Sequence, residues 1–260
     1  MTNVPLLSFL AYPLAKNWIA GKSVSEALSC SELADARGFS VILNYLGEEV
    51  ETQREVEETL KEYEHLLDLL QPNRIVGCIS TKLTQLGLKI DSDYCRKNLA
   101  EIVGHANRLG RFVWMDMESS RFTNDTIDIY KTVFSTNKNV GICIQSYLRR
   151  SAYDVEELLR IARARLMERL FKTSVNVFSV ATHDDKLVKE AVRMSEKYSK
   201  NFEFAFLKGI RDNLKLQLVN KGYRVTEYIP YGQNWMPYSI RRLREKPSNF
   251  LFLARSLIIK

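Results

Sequence analysis

Short apolar runs rich in β-branched residues alternate along this chain with longer stretches whose apolar residues recur at helical spacing. That order predicts a parallel α/β sheet or barrel. The first run, Phe39 to Leu46, is stopped by Gly47. Arg54 to Leu70 follows as a helix, with Val56, Leu60, Tyr63, Leu66, Leu67 and Leu70 on one side. Arg74 to Ser80 is a second strand, with a helix from about Asp91 to Leu109. Arg111 to Asp116 is a third, with its helix over Thr126 to Ser135. Val140 to Gln145 is the fourth, and a helix opens at Asp154. Val175–Ala181, Phe202–Leu207 and Gly222–Ile229 read as three more strands. They are separated by helices over Asp185 to Lys200 and up to Asn220, and the last leads into a helix over Tyr238–Arg244.

The count is seven, where a (β/α)8 barrel needs eight. Between the fourth strand and Val175 lies one unbroken helical pattern, Asp154 to Lys172. It is free of Gly and Pro, and no β-branched residue occurs between Ile161 and Thr173. The expected fold is a TIM-type (β/α)8 barrel with its fifth β-strand unit missing or replaced by helix, leaving an open or distorted seam. Unpaired edges at Val140–Gln145 and Val175–Ala181 would lower stability. No linker or repeat suggests a second domain. Residues 1–260 read as one barrel domain, with N-terminal helices at about 5–36 packed on it.

Length agrees, since 260 residues is close to the roughly 250 typical of such barrels. Cys30, Cys78, Cys95 and Cys143 form no C-x-x-C pair, and the three histidines lack H-E-x-x-H spacing. This argues against a metal site or a disulfide framework and suits a reducing cytoplasm. Leu6 to Ala20 is apolar but interrupted by Pro13, Lys16 and Asn17, too short to span a bilayer and better read as an amphipathic helix. The net charge of +7 is concentrated late: residues 205–260 hold eleven Lys/Arg against three Asp/Glu. Such an end suits an anionic partner, but no nucleic-acid module is present, and nucleic acid is set aside. The apolar segments Phe250-Leu-Phe-Leu253 and Leu257-Ile-Ile259 offer either a peripheral membrane contact or plain core.

Barrels place their chemistry at the C-terminal ends of their strands. Lys82, Asp116, Gln145, His183 and Tyr228 all stand there. No G-x-G-x-x-G follows any strand, which argues against a nicotinamide enzyme. The last helix adds Tyr238, Arg241, Arg242 and Glu245 at i, i+3, i+4 and i+7, one face of a helix. Either this is a solvated basic face with an Arg241–Glu245 pair, or both guanidinium forks grip one anion, most simply a carboxylate.

The run Tyr228-Ile-Pro-Tyr-Gly232, followed by Tyr238-Ser-Ile-Arg-Arg-Leu-Arg-Glu245, closely resembles the end of the flavin-dependent proline dehydrogenases, roughly Y-x-P-x-G…Y-x-x-R-R-x-x-E. Further markers follow in order: Leu46-Gly47-Glu48, Ser80-Thr-Lys82-Leu-Thr, Asp116-Met-Glu118, Gln145-Ser-Tyr147, Ala181-Thr-His183-Asp, and Phe202-Glu-Phe-Ala-Phe-Leu207-Lys-Gly209. The resemblance implies an FAD-dependent enzyme that oxidises L-proline to 1-pyrroline-5-carboxylate and passes electrons to a quinone or other acceptor. By the same resemblance Arg241, Arg242 and Lys82 hold the substrate carboxylate. Asp116 is the ion partner of Lys82, and Glu245 steadies one arginine. Leu207, Tyr228 and Tyr238 wall the ring, while Gln145, Thr182 and His183 contact the flavin. Arg165 joins them if its position is equivalent.

The resemblance fails in two places. The family has a strand with R-L-V-K-G-A-Y after the fourth. Here Arg165-Leu-Met-Glu-Arg-Leu-Phe171 keeps only its Arg and Leu, or else some twenty-five residues are absent, the preferred alignment. Ala205 also stands where the family often has Gln. Weaker FAD binding is therefore expected. Two other readings stay open: a catalytically impaired homologue that binds an amino acid or partner, and an unrelated barrel enzyme for a carboxylated or phosphorylated molecule.

Overall fold

The computed structural model describes residues 11–70, 75–145, 150, 151, 153, 154, 158, 178–198 and 202–245. Within them run seven strands, β1 (Ser40–Tyr45), β2 (Gly77–Thr81), β3 (Val113–Met115), β4 (Val140–Ile142), β5 (Phe178–Ala181), β6 (Phe202–Leu207) and β7 (Arg224–Tyr231). The helices are α1 (Val24–Asp35), α2 (Gln53–Leu70), α3 (Ser92–Arg108), α4 (Thr123–Thr136), α5 (Asp185–Lys197), α6 (Asp212–Asn220) and α7 (Trp235–Glu245). All strand pairs are parallel, in the order β4-β3-β2-β1-β7-β6-β5.

That order makes β4 and β5 the edges, the two strands expected to flank the gap, and among the described residues no ladder joins them. The expected helix over Asp154 to Lys172 lies mostly outside the described residues; residues 151, 153, 154 and 158 are helical. Even so, the sheet is curled. Strands about 4.8 Å apart would put β3 and β7, three steps removed, roughly 14 Å from each other in a flat sheet. Yet the Tyr228 hydroxyl on β7 donates to the Asp116 carboxylate just past β3 at 2.6 Å.

Alternation sorts the side chains. Val41, Leu43, Ile79, Val113, Val140, Phe202, Phe204, Phe206, Val225 and Ile229 join the helices' apolar stripes in the main core. Residues between them, among them Asn44, Ser80, Ala205, Thr226 and Tyr228, face the concave side. Several expected boundaries move: β3 and β4 end earlier, at Met115 and Ile142, the helix after β3 starts earlier, at Thr123, and the last strand and helix shift for reasons set by proline. β7 runs on to Tyr231 because Pro230 lies beyond the end of β6, where a missing N–H leaves no ladder partner unmet. The last helix starts at Trp235 rather than Tyr238, since Pro237 is tolerated in a first turn.

Candidate active site

β2 ends in extended backbone at Lys82 (φ −113, ψ 135), which opens a 3-10 turn over Leu83–Gln85. Lys82 is 9% exposed, and its ammonium donates to Glu48 Oε1 at 2.7 Å. Glu48 lies in the loop after β1. That loop closes over Gln85, whose amide donates to the Tyr45 carbonyl at 2.9 Å. A Cβ on Gly47 would come within 2.6 Å of the Gln85 amide nitrogen, so a larger residue there would have to push that amide aside. From the opposite side Arg241 on α7 grips the same carboxylate with both amino groups, NH1 to Oε2 at 3.2 Å and NH2 to Oε1 at 2.9 Å. Burial works against ionisation of Glu48, but Arg241 and Lys82 outweigh it and bring the carboxyl down to about 2. A carboxylate thus sits between a lysine and a forked guanidinium.

Tyr238, Arg241 and Arg242 share one face of α7, as their spacing implies. The guanidinium carbons lie 5.8 Å (Arg241) and 5.4 Å (Arg242) from the buried Tyr238 ring centroid. The carboxylate that steadies Arg241 is Glu48, a residue the sequence reading quoted in a motif but gave no role; the Glu245 side chain lies outside the described residues.

Asp116 corrects the expected ion pair. Lys82 is paired with Glu48, while Asp116 accepts hydrogen bonds from Ser80 Oγ and Tyr228 Oη, both at 2.6 Å. Two hydroxyls satisfy its carboxylate from the concave face, whereas Lys82 leaves its strand toward the β1 loop and α7. Burial, then Asp116, holds the Tyr228 hydroxyl well above the usual phenol range. Tyr228 is paired in register with Leu207, so these two expected wall residues are neighbours. Glu118 is a further carboxylate that sequence reasoning missed. It accepts from the Thr84 N–H at 3.0 Å and from the Thr84 hydroxyl. Burial raises its pKa against those bonds and Lys82. The signal for both missed residues was present, since each carboxylate sits in a quoted motif beside a strand end.

The expected flavin contacts stand on the two edge strands. Gln145, past β4, donates to the Met117 carbonyl at 3.2 Å. Thr182, past β5, accepts the Asp184 N–H at 3.2 Å, and the His183 ring lies 5.7 Å from that of Phe206. An amide, a hydroxyl and an imidazole can each donate and accept. That set fits the alternating donors and acceptors along the edge of a flavin ring. Arg165 lies outside the described residues. Among the described residues no group of three His, Cys, Asp or Glu is placed to hold a metal ion, and no helix is long and apolar enough to cross a membrane.

A family model described as proline dehydrogenase matches residues 27–173 and 165–255, two pieces that overlap where the expected gap ends. Proline dehydrogenase 1 of Bacillus subtilis (strain 168) is 26% identical over 275 residues, covering 95% of this chain and 91% of that protein. The aligned length exceeds the whole of this chain, so the relative has residues that this one lacks. The proline dehydrogenase of Deinococcus radiodurans is 28% identical over 279 residues, covering 94% and 90%. Among solved structures, proline utilization A (PutA) from Bdellovibrio bacteriovorus, inactivated by N-propargylglycine, superposes with a TM-score of 0.82 at 21% identity over 89% of this chain. This chain spans 32% of that one, and the likeness shows the barrel-like fold.

Proposed function

Because this chain belongs to the proline dehydrogenase family, we infer that it oxidises L-proline to 1-pyrroline-5-carboxylate with FAD, the electrons passing on to a quinone or another acceptor. The observation that supports this most is the carboxylate of Glu48 held by Lys82 and Arg241. It supports the reading of these cations as a carboxylate clamp, here with a carboxylate that belongs to the protein. A substrate carboxylate competes with Glu48 for those cations and adds Arg242, which stands on the same face.

The chain's own residues then have three tasks. Lys82, Arg241 and Arg242 anchor the carboxylate, and so fix where the ring carbon next to nitrogen points. Leu207, Tyr228 and Tyr238 wall the ring and keep water from it. Asp116 holds the Tyr228 hydroxyl, so that wall keeps its position. FAD, when bound by Gln145, Thr182 and His183, supplies a hydride acceptor. Arg241 and Glu48 are both more than a third exposed, so the pair is screened and worth about 1 kcal/mol. Arg241→Met should therefore raise the KM for L-proline roughly fivefold; an unchanged KM would remove the clamp from the account.

A second reading, a homologue that binds the amino acid without turning it over, draws on the edge position of β4 and β5. The visible spectrum of the purified protein separates the two, since only the first requires bound flavin. Function at a cytoplasmic or membrane-peripheral location belongs to the same proposal. A flotation assay with anionic vesicles tests the peripheral contact.

A further inference from the structure

Among the described side chains, those of the helix that carries the arginines lie outside the barrel's main core. Its buried aromatics, Trp235 and Tyr238, pack in a second apolar cluster with Ala15, Trp18, Ile19 and Leu46. Most of that cluster comes from the segment 11–21, which opens with helical residues 11–15 and precedes α1. Tyr12 meets the Trp235 ring edge-on at 5.2 Å, and the Lys22 ammonium sits over both rings, at 4.5 and 5.9 Å.

The same segment is fastened to the strand ends beneath α7. Ala20 N–H donates to the Pro230 carbonyl at 2.8 Å, and Gly232 N–H to the Gly21 carbonyl at 3.0 Å. Lys208 Nζ donates to the Lys16 carbonyl at 2.7 Å. Gly209, at φ +68, lies so close that a Cβ there would be 1.9 Å from the Asn17 carbonyl oxygen.

We propose that Trp18 is a positioning residue for the anion clamp: the segment 11–21 forms the bed of α7 and sets the distance at which Arg241 and Arg242 face Lys82. Trp18 is 6% exposed and packs in an apolar cluster with Trp235 and Tyr238. It acts through Trp235 and Tyr238, whose rings are the inner surface of α7. Removing the indole leaves space beneath the helix, and displacements near 1 Å in a site that depends on geometry are costly, up to about 10²-fold. The proposal rests on the carboxylate-clamp reading above.

The test uses full-length protein carrying Trp18→Ala, Trp18→Phe, Gly209→Ala and Arg241→Met. Three quantities are read: KM and kcat for L-proline, and the inhibition constant of cyclopentanecarboxylate, a ring acid without the oxidisable C–N bond. Trp18→Ala should raise KM and the inhibition constant roughly tenfold with kcat within about twofold, and Trp18→Phe should restore both. Gly209→Ala, which pushes the segment from its other side without emptying the cluster, should raise the same two constants even where Trp18→Ala fails to fold. If Arg241→Met raises KM while folded Trp18→Ala or Gly209→Ala leaves KM and the inhibition constant unchanged, the inference is overturned and the clamp stands. A fall in kcat with KM unchanged overturns it equally. If Arg241→Met itself has no effect, the clamp reading fails first.

Discussion

At one side of the site Lys82 and Arg241 close on a single carboxylate within 3.2 Å, while at the other the expected cofactor contacts hang on strands β4 and β5, the two edges of the sheet. The difference follows from position in the ladder. The clamp draws on β1, β2 and the helix after β7, and β1, β2 and β7 are each paired on both sides. Gln145 and Thr182-His183 follow strands paired on one side only. Among the described residues no strand joins β4 to β5, so a missing β-strand unit there would fall on the expected cofactor side and spare the proposed clamp. A parallel sheet tolerates this because each strand's register is set by its immediate neighbours. The cross-sheet bond from Tyr228 to Asp116 keeps the curl.

The largest effect expected on the strong side is that of Lys82→Met. It removes the most buried cation of the clamp, whose side chain is 11% exposed, and should cost about 2 kcal/mol, read as a KM for L-proline raised roughly 30-fold. An unchanged KM would mean the two sides do not differ as described. On the weak side, gel filtration should strip flavin below one per chain; stoichiometric flavin through the column would show that the seam costs the cofactor nothing.

Much of this was legible in the chain. The order of strands and helices, the seven strands among the described residues and the two at the sheet's edges follow from β-branched runs and helical spacing. Tyr238, Arg241 and Arg242 share a face because i, i+3 and i+4 do. The partner of Lys82 was not legible. Glu48 and Asp116 are both acids beside strand ends, and choosing between them depends on where two hydroxyls, Ser80 and Tyr228, already satisfy one of them. Nor could spacing show that α7 rests on residues 11–21. That contact joins the two ends of the described chain, and no local pattern records it.

Smaller effects sharpen the contrast. Tyr228→Phe removes one of the two hydroxyls on half-buried Asp116 and should cost about 1–3 kcal/mol, measured by urea unfolding. A cost near zero would show that the bond does not tie the sheet. The pH dependence of Glu48 should be smaller still, because its side chain is 40% exposed and solvent screens it. Its folded pKa of about 2 lies below the ordinary 4.5. The stabilisation it brings is thus fully present above about pH 4.5 and lost as pH falls through 2. The stability difference between the wild type and Glu48→Gln should accordingly shrink over that window, and a constant difference would contradict the pairing.

The central claim, that the substrate side remains a working proline site despite the seam, is tested most directly by adding L-proline to FAD-loaded protein without oxygen and following the visible flavin absorbance. The account predicts bleaching that saturates with L-proline and that Arg241→Met moves to higher concentrations. Protein that holds its flavin and shows no bleaching at any L-proline concentration would contradict it.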